Sequence, residues 1–432
     1  MMEVSKIGLI TKKITNLDEQ FPVQDMLLQT GQLEQFASGV YAYGHIPFLV
    51  KKNVEKVIST VLTKYGCTEL SLPVLQPERI WQESGRLSHY VSEGVMFQTK
   101  TKNGNYCLAP TAEEAIVNYA KPRLTTYKHL PVIYFQIGQK FRNEIRSRGY
   151  LLRGKAFDMM DAYSFGKNQL ELDRQYERIK LAYLEIFQQL GLPIQPVGAD
   201  SGSIGGSKSE EFMCLSDLGE DTILFDTESG KAFNAELLDK DNYQTYLAET
   251  YGIKNTKALI KRKAVELGHI FQLGNKYSSL MNGLFVNADG KNCHYVMGCY
   301  GIGVSRTVAM LYENSIIMSN GKFSGVALPE NIAPYIIYMI PKLDEQEKSA
   351  IATKLYQELE MNGIPTLFDD RGDLSIGAKI KDGKLTGAPY LVVLGNSLND
   401  GVVEVEYNRT GEKKVIKIEQ FVNYFQNLLK KA

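Results

Sequence analysis

Residues 131–165 read PVIYFQIGQKFRNEIRSRGYLLRGKAFDMMDAYSF, and this stretch decides the fold. Two runs of alternating polar and apolar residues flank a polar segment, residues 145–152. Because successive side chains of a strand point to opposite faces, the two runs predict an antiparallel hairpin with one polar face. That face would carry Gln136, Gly138, Lys140, Arg142 and Glu144 from the first strand and Arg153, Lys155, Phe157, Met159, Asp161 and Tyr163 from the second.

The polar face of the hairpin has two interpretations. A solvated hairpin held by surface ion pairs would expose some of the same residues. A face with Arg142, Glu144 and Phe157 is more typical of a site for a polyphosphate nucleotide, because guanidinium groups pair well with phosphate oxygens. The hairpin therefore predicts a nucleotide-binding sheet.

Length and composition set the outer bounds. The chain has 432 residues, enough for two or three domains with cores of their own. Its 49 Lys and Arg balance its 49 Asp and Glu, so no overall field favours nucleic acid or membrane as a partner. Five cysteines without a CxxC pair are typical of a reducing compartment. With no signal-peptide pattern and no apolar run of membrane-spanning length, we expect a cytoplasmic protein without a membrane partner.

Two segments near the start carry local signals. Residues 47–65 have apolar positions at helical spacing and predict an amphipathic helix that ends at Gly66. Residues 68–75 predict an edge strand, because Pro73 removes a ladder hydrogen bond. Together this helix and strand are a weak signal for a dimer interface.

The helix predicted after residue 110 begins with a recognisable pattern. Thr111 followed by Glu114 has the spacing of a capping box, which predicts that both side chains serve helix initiation. Glu113 is not needed for that box. It either complements the helix dipole or faces a cationic ligand near the sheet.

Beyond the hairpin, residues 167–190 predict a long helix, and the glycine- and serine-rich residues 201–212 predict a turn. Residues 235–263 are more polar and indicate a small insertion between two strand-like segments. His269 in the second of these segments is interpreted as a hydrogen-bonded structural residue rather than a metal ligand.

A glycine-punctuated strand-to-helix passage follows at residues 294–306. Its GxG pattern is weak evidence on its own and is not the GxGxxG of a dinucleotide fold. Arg306 lies in the first turn of the predicted helix, and a helix N-terminus with a guanidinium group predicts an anion site.

Three blocks of the chain resemble the signature motifs of class II aminoacyl-tRNA synthetases. The strand that closes on Pro73 resembles motif 1, residues 141–161 resemble motif 2, and residues 301–306 resemble motif 3. Within this class the chain resembles, nearly end to end, the bacterial type of prolyl-tRNA synthetase. The shared phrases are LQPERIWQESGR at 75–86, PTAEE at 110–114, FRNE at 141–144, DAYSF at 161–165, ADSGSIGGS at 199–207, GHIFQLGNKYS at 268–278 and MGCYGIGVSR at 297–306.

The resemblance implies an α/β fold class in two domains. Residues 1–330 would form an α+β catalytic domain on an antiparallel sheet, interrupted by the insertion at about 235–263. Residues 331–432 would form an α/β anticodon-binding domain. The implied activity is ATP-dependent conversion of L-proline to prolyl-adenylate and its transfer to tRNA(Pro), by a cytoplasmic homodimer.

The resemblance also assigns the nucleotide-binding residues. Arg142 would contact the ATP α-phosphate and the amino-acid carboxylate, while Arg153 and Arg306 would hold the outer phosphates. Arg142 and Arg306 would thus be the catalytic residues. Glu144 would read the adenine amino group, and Phe157 would stack on the base. The ATP site would further include Glu266, Gly301 and Gly303, with Glu266 and Glu211 as the candidate ligands of Mg²⁺.

The proline site follows from the same resemblance. Thr111 and Glu113 would bind the secondary ammonium of proline. Arg142 and the set Met159, Tyr163, Phe212, His269, Gln272 and Cys299 would complete the pocket. Three positions depart from the family pattern, namely Ala112, Ala156 and Met160, and they leave every assigned residue in place.

The insertion carries a further expectation. Long bacterial enzymes of this type have an editing domain between the halves of the catalytic core, whereas residues 235–263 are too few for an independent core. A pocket rejects a smaller apolar competitor by only about 1–3 kcal/mol, so alanine would be mischarged. We expect no hydrolysis in cis of alanyl-tRNA(Pro), and a separate editing protein would act in trans.

The C-terminal part alternates predicted strands and helices and implies a compact α/β domain. The resemblance makes Asp370, Arg371, Lys379 and Lys381 candidate anticodon contacts. The predicted strands are 335–340, 366–370, 390–394 and 402–407, and the predicted helices are 345–362 and 418–429.

Two other functions stay open at this point. A relative of the same class could activate proline or an analogue for a carrier other than tRNA, and a regulatory protein could retain the scaffold without catalysis. The intact C-terminal domain argues against the first. The complete set of arginines with Glu144 and Phe157 argues against the second.

Overall fold

The computed structural model describes residues 1–12, 14–147, 149–200, 204–227, 229–239, 242–253 and 259–430. Arg148 in the hairpin loop, part of the predicted turn (201–203) and part of the predicted insertion (240–241 and 254–258) lie outside the described residues. The α-helices are α1 Pro22–Gln29, α2 His45–Lys64, α3 Glu78–Glu83, α4 Leu87–Ser92, α5 Glu113–Ala120, α6 Gln169–Gln189, α7 Tyr243–Tyr251, α8 Lys276–Leu280, α9 Val304–Glu313, α10 Gln346–Met361, α11 Ile376–Gly383 and α12 Ile418–Leu429.

The strands are numbered in the same way. They are β1 Leu33–Ala37, β2 Val40–Tyr43, β3 Thr68–Glu69, β4 Leu75–Pro77, β5 Gln98–Thr101, β6 Gly104–Leu108, β7 Val132–Phe141, β8 Ala156–Gly166, β9 Ile194–Gly198, β10 Lys208–Leu215, β11 Asp221–Asp226, β12 Ala232–Asn234, β13 Leu259–Gly274, β14 Leu284–Val286, β15 Asn292–His294, β16 Val296–Gly303, β17 Ile316–Ser319, β18 Lys322–Val326, β19 Ile337–Pro341, β20 Thr366–Phe368, β21 Tyr390–Leu394, β22 Val402–Tyr407 and β23 Glu412–Lys417.

The chain divides into two compact units. The larger is Glu55–Thr307, and the smaller combines Met1–Val54 with Val308–Ala432. The boundary predicted at residue 330 separates a catalytic domain from an anticodon-binding domain, whereas these two units are defined by compactness alone. The predicted boundary therefore stays a prediction.

The larger unit is built on one extended sheet. Within the described residues its order is β10-β9-β12-β11-β13-β16-β8-β7-β3. The long strand β13 pairs with β11 along its first residues and with β10 along its later ones. All pairs are antiparallel except β3 with β7 and β12 with β9. The predicted antiparallel sheet is therefore confirmed.

The predicted hairpin is formed by β7 and β8, which pair from Val132 opposite Phe165 to Phe141 opposite Ala156. In this register Gln136 lies opposite Asp161, so the predicted polar face exists. It is largely internal. Buried Lys140 forms an ion pair with Asp161 at 2.7 Å, and the Gln136 amide donates to the same carboxylate at 2.9 Å. A solvated hairpin would not bury these charges, so the alternative interpretation is wrong.

Helix α6 packs on one face of the sheet and confirms the helix predicted at 167–190. Asn168 caps it, because its side-chain oxygen accepts a hydrogen bond from the backbone N–H of Glu171. Its Tyr183 packs against Phe212 of β10, with ring centroids 5.0 Å apart. Gly268 of β13 allows this approach, since a Cβ there would lie 3.1 Å from the Tyr183 ring. The helix thus leaves the other face of the sheet available.

The other face carries a second apolar core. Trp81 of α3, Ile116 of α5 and Tyr277 of α8 pack there against residues of the sheet that include Phe165 and Phe271. The two cores fix the sheet between a helical layer and a mixed layer. Polar groups on this second face are therefore held in defined positions.

The segments before the hairpin follow the prediction in part. The helix expected at 47–65 is α2, and Gly66 after it has the left-handed φ of 79° that favours glycine at a helix end. The strand expected at 68–75 is wrong in length, because β3 pairs only at Thr68 and Glu69, at the edge of the sheet, and Leu75 already belongs to β4, which pairs with β6. Leu72 donates its backbone N–H to the side chain of Gln136 instead of to a strand.

The insertion is shorter than predicted. Strand β13 already begins at Leu259, so residues 259–263 belong to the sheet. The described part of the insertion contains the 3-10 helix Ala235–Asp239 and helix α7. Leu237, Leu247 and Ile253 from this part form a small apolar cluster with sheet residues.

The smaller unit contains a five-stranded mixed sheet of order β20-β19-β21-β22-β23, in which β19 is parallel to both of its neighbours. Strands β21 and β22 and helix α12 coincide with the predicted elements. Strand β23 was not predicted, because its sequence EKKVIK is mostly charged. In the structure the strand is mostly exposed. No described helix is both long and apolar enough to cross a membrane.

Candidate functional site

A cavity of about 340 Å³ opens on the face of the sheet opposite α6. It lies within the larger unit and brings together most of the predicted site residues. Those that line it are Thr111, Glu113, Arg142, Glu144, Arg153, Phe157, Met159, Glu211, Glu266, His269, Cys299, Gly301, Gly303 and Arg306.

Three central strands place these side chains by their register. In the pairing of β8 with β16, Met159 lies opposite Gly303 and Asp161 lies opposite Gly301. In the pairing of β13 with β16, His269 lies opposite Gly301 and Phe271 lies opposite Cys299. Glycine at 301 leaves the floor between Asp161 and His269 without a side chain. The floor therefore has room for a ligand.

Glu113 presents a buried carboxylate to the cavity from the first turn of α5. Its Oε1 accepts a hydrogen bond from the Cys299 thiol at 3.0 Å. Its Oε2 accepts from the Thr111 hydroxyl at 2.7 Å and from Arg86 Nη1 at 3.1 Å. Burial opposes ionisation, but the Arg86 charge and the Thr111 hydroxyl hold the pKa of Glu113 below its ordinary value. An ionised carboxylate therefore faces the cavity.

The predicted capping box is wrong. Ala112 is the N-cap residue of α5 and makes no side-chain cap, and the Thr111 hydroxyl donates to Glu113 instead. Glu114 accepts from the Ser84 hydroxyl at 2.7 Å and from Arg86 at 3.2 Å. Because both carboxylates are buried, a guanidinium partner is more favourable for Glu114 than the hydrogen bond from the N-cap backbone N–H that a capping box requires.

Arg142 connects two parts of the lining. Its Nε donates to the backbone carbonyl of Pro110 at 3.2 Å, next to Thr111. Its guanidinium carbon lies 5.3 Å from the centroid of the Phe157 ring, within range of a cation–π interaction. The position joins the Glu113 region to the aromatic face of β8.

Arg153 is paired with two carboxylates at the exposed side of the cavity. Its Nε donates to Glu144 at 2.9 Å, and its Nη1 donates to Glu220 at 2.9 Å. The hydrogen bond that Arg153 donates to Glu144 is the largest of the effects that raise the pKa of Arg153. The guanidinium group is thus held by partners that a stronger anion could replace.

Arg306 lies in the first turn of α9, as predicted. Its Nη1 forms an ion pair with Glu266 at 2.7 Å and also donates to the Glu266 backbone carbonyl. Its Nε donates to the carbonyl of Leu152 at 2.9 Å. These contacts fix the guanidinium plane toward the cavity.

Glu211, Glu266 and His269 form a compact group of potential metal ligands. One ligand atom from each lies within 4.8 Å of the others. Burial raises the pKa of Glu211 to about 8, and the charge of Glu266 contributes in the same direction. At Glu266 burial raises the pKa, but the hydrogen bond with His269 and the charge of Arg306 lower it. The pKa of Glu266 therefore lies below its ordinary value. His269 bonds both Glu266 and Ser209, which agrees with its interpretation as a hydrogen-bonded residue.

Comparison with known proteins identifies the family. Residues 97–315 match the tRNA synthetase class II core domain for G, H, P, S and T, and residues 335–428 match an anticodon-binding domain. The proline–tRNA ligase of Ehrlichia ruminantium is 35% identical over 436 residues, which cover 98% of this chain and 100% of the relative. The chain belongs to the proline–tRNA ligase family.

Solved structures of the same family name share the fold. The prolyl-tRNA synthetase of Giardia lamblia in complex with prolyl-adenylate gives a TM-score of 0.75 at 18% identity, over 95% of this chain and 76% of that one. The Cryptosporidium parvum enzyme complexed with L-proline and AMP gives 0.74 at 16% identity, over 99% and 78%. The catalytic core and anticodon-binding domain expected for a proline–tRNA ligase are both present.

Three residues predicted for the proline pocket do not line the cavity. Glu211 and His269 face it, so alternation along β10 and β13 turns Phe212 and Gln272 to the opposite face. Phe212 packs on α6, and Gln272 exchanges hydrogen bonds with Gln169 and Asp173 of that helix. The structure thus does not bring these two residues to the cavity, and their role in proline binding stays a prediction.

Tyr163 lies on the predicted face but beneath the surface of the cavity. It is buried, donates its hydroxyl to Asp161 at 2.9 Å and accepts the backbone N–H of Ala112 at 3.1 Å. It does not line the cavity, and its role in proline binding stays a prediction. The residue supports both the floor and the start of α5.

Sequence reasoning missed several residues that line the cavity or pair with its lining. Phe271 lines the cavity two residues after His269, and period-two alternation from His269 was the signal for it. Glu220 pairs with Arg153, and Arg86 pairs with Glu113. Neither partner has a sequence signal, because both contacts join segments that are distant along the chain.

The candidate anticodon residues lie in the smaller unit. Arg371 is held by Asp369 at 2.6 Å and Asp382 at 2.9 Å. Lys379 is buried and donates to the Asp369 carbonyl, which argues against a direct contact with RNA. Asp370 accepts from Ser5, and Lys381 is exposed. Their role in anticodon binding stays a proposal.

The reassignment of Phe212 is testable by stability. We expect Phe212→Ala to lower the free energy of unfolding by about 3–5 kcal/mol, because removal of the buried aromatic ring leaves a cavity against α6. Urea unfolding measures the change. Leu215→Ala on the same strand is the matched control, since Leu215 is exposed, and it should change stability by less than about 0.5 kcal/mol. A Phe212→Ala loss as small as that of the control contradicts the packing role.

Proposed function

We propose that this chain catalyses ATP-dependent activation of L-proline to prolyl-adenylate and transfers the prolyl group to tRNA(Pro). The observation that carries the proposal is the placement of Glu113 and Arg142 in one cavity. A buried carboxylate suits an ammonium group, and a guanidinium group between it and an aromatic ring suits a carboxylate or phosphate.

Proline recognition would use the groups around Glu113. A secondary ammonium has two N–H donors, and Glu113 with the Thr111 hydroxyl offers acceptors 2.7 Å from each other. Arg142 would hold the carboxylate of the amino acid. The ring would lie against the apolar lining supplied by Met159 and Phe271.

ATP recognition would use the remaining lining. Phe157 would stack on the adenine base, and Glu144 would accept a hydrogen bond from its amino group. Arg153 and Arg306 would bind the outer phosphates, replacing part of their present carboxylate contacts. Bidentate pairing favours phosphate oxygens at both guanidinium groups.

The activation step requires no general base. The prolyl carboxylate is already a nucleophile and attacks the α-phosphorus in line, while pyrophosphate leaves with the bond electrons. Arg142 orients both reactants and offsets the charge that develops on the α-phosphate. Arg306 stabilises the leaving pyrophosphate. The terminal ribose hydroxyl of the tRNA then attacks the adenylate carbonyl, and AMP leaves.

The group Glu211, Glu266 and His269 fits Mg²⁺ in its oxygen donors. Mg²⁺ binds proteins through one or two carboxylates and completes its shell with water and phosphate oxygens. Glu211 and Glu266 would be the ligands, and His269 would orient Glu266 through their 3.0 Å hydrogen bond. When bound, the cation neutralises phosphate charge.

The assembly and its partners complete the proposal. We infer a cytoplasmic homodimer that binds tRNA(Pro) through the smaller unit, with mischarged alanyl-tRNA(Pro) cleared by a separate protein. The anticodon-binding domain argues against activation of proline for another carrier, and the set of charged groups in the site argues against loss of catalysis. Charging assays of tRNA with proline, alanine and cysteine distinguish these functions.

Arg142→Ala should abolish proline-dependent ATP–pyrophosphate exchange, because it removes the group that contacts both reactants. Exchange of labelled pyrophosphate into ATP measures the activity. Arg123→Ala is a matched control, since Arg123 is exposed against Tyr119 outside the cavity. Near-normal exchange by folded Arg142→Ala protein contradicts the proposed function.

Glu211→Gln should raise the Mg²⁺ concentration needed for half-maximal exchange by about tenfold or more. Replacing a residue that only hydrogen-bonds a metal ligand already weakens metal binding by about that factor. A Mg²⁺ titration at saturating ATP measures it. Glu210→Gln is the control, because the neighbouring carboxylate binds Lys180 and Tyr176 instead. Equal Mg²⁺ requirements in the two variants exclude Glu211 as a ligand.

Purified protein should not hydrolyse alanyl-tRNA(Pro) in cis, because the insertion lacks the size of an editing domain. The measurement is deacylation of labelled alanyl-tRNA(Pro) over time. Its spontaneous deacylation in buffer without protein is the background. Deacylation clearly faster than this background shows that the insertion, or another part of the chain, edits.

A further inference from the structure

Two adjacent carboxylates beside the cavity share a single cation. Arg86 Nη1 lies 3.1 Å from Glu113 Oε2 and 3.2 Å from Glu114 Oε1. The side chains of both glutamates are fully buried, and that of Arg86 is 7% exposed. If both carboxylates were ionised, the group would hold one more negative than positive charge. A buried uncompensated charge is costly.

The cost falls unequally on the two carboxylates. Glu113 receives hydrogen bonds from Thr111 and Cys299 as well as Arg86, and these favour its ionised form. Glu114 receives only the Ser84 hydroxyl in addition to Arg86 among the contacts described above. When two carboxyl groups share one site, the less stabilised one retains the proton.

We propose that Glu114 exchanges its proton for the substrate ammonium, so that proline binding is coupled to proton release from this buried carboxyl group. The inference rests on the proposed function. Before binding, Arg86 and ionised Glu113 balance each other and Glu114 is neutral. After binding, Arg86 and the prolyl ammonium balance two ionised carboxylates. The proton passes to solvent, and no covalent bond to proline forms or breaks.

The titration of the surrounding groups supports this assignment. Burial raises the pKa of Glu114 to about 7, and the charge of Glu113 adds to the effect. The other charged or titratable groups that interact with Glu114 are Glu113 on α5, Arg86 before α4, Cys107 on β6, and Lys276 and Tyr277 on α8.

The pKa values of these neighbours are shifted in different directions from their ordinary values. Burial raises the pKa of Cys107 to about 12 and also raises that of Tyr277. Burial opposes the charge of Arg86, but the two glutamates raise its pKa overall. Burial lowers the pKa of Lys276, whose charge is common to the wild type and the variants compared below.

A purely structural role for Glu114 gives a different expectation. The Ser84–Glu114–Arg86 contacts would then only hold α5 against the segment between α3 and α4. Replacement of Glu114 by glutamine would change proline binding equally at every pH, or would unfold the protein. Proton exchange instead predicts an effect that depends on pH, because glutamine resembles the protonated form permanently.

The experiment measures the KM for L-proline in ATP–pyrophosphate exchange from pH 6 to pH 8. In the wild type we expect KM to fall about tenfold as pH rises, since the group that must ionise does so more readily. In Glu114→Gln we expect a KM that stays near the wild-type pH 6 value throughout. The two proteins therefore converge at low pH and differ at high pH, while the KM for ATP changes equally in both.

Two further variants keep the test decisive. Ser84→Ala removes a hydrogen bond that favours ionised Glu114, so the fall in proline KM should move to higher pH. Glu83→Gln changes an exposed carboxylate on α3 and should reproduce the wild-type profile. A flat wild-type profile, or a Glu114→Gln profile that keeps the wild-type slope, overturns the inference. Absence of proline-dependent exchange in the wild type overturns the proposed function instead.

Discussion

The antiparallel pairing of β8 between β7 and β16 is the constraint on which the site depends. It places Asp161 opposite both Gln136 and Gly301, so one carboxylate is tied to the hairpin and to the floor of the cavity. The buried ion pair with Lys140 makes a shift of register costly, because a one-residue slip would move these charges to the apolar face under α6. Each cavity residue on β8 inherits its position from this pairing.

Charge compensation is the second principle of the site. Glu113 is matched by Arg86, Arg153 by Glu144 and Glu220, and Arg306 by Glu266. Each of these charged groups therefore already has a partner of opposite charge within the protein. In the proposed function the outer phosphates would replace carboxylate partners of Arg153 and Arg306, whereas the prolyl ammonium would add a positive charge beside two buried carboxylates.

Sequence reasoning predicted the hairpin, its polar face and the class II fold, because period-two alternation and short motifs are local signals. It failed where facing had to be assigned without a register. Phe212 and Gln272 were assigned to the proline pocket, although alternation turns them away from the face that carries Glu211 and His269. It also failed for Arg86, since an ion pair between segments 27 residues apart leaves no pattern in the chain. Met160, which departs from the family pattern, is buried on the face opposite the cavity.

The carboxylates that hold Arg153 and Arg306 also set a threshold for small anions. A single inorganic phosphate would have to displace Glu144 or Glu266 at one guanidinium group, with little gain over the contact it breaks. A triphosphate replaces both sets at once, and its second contact is intramolecular and so benefits from a high effective concentration. If both arginines bind the outer phosphates as proposed, they would favour a polydentate anion over a monodentate one.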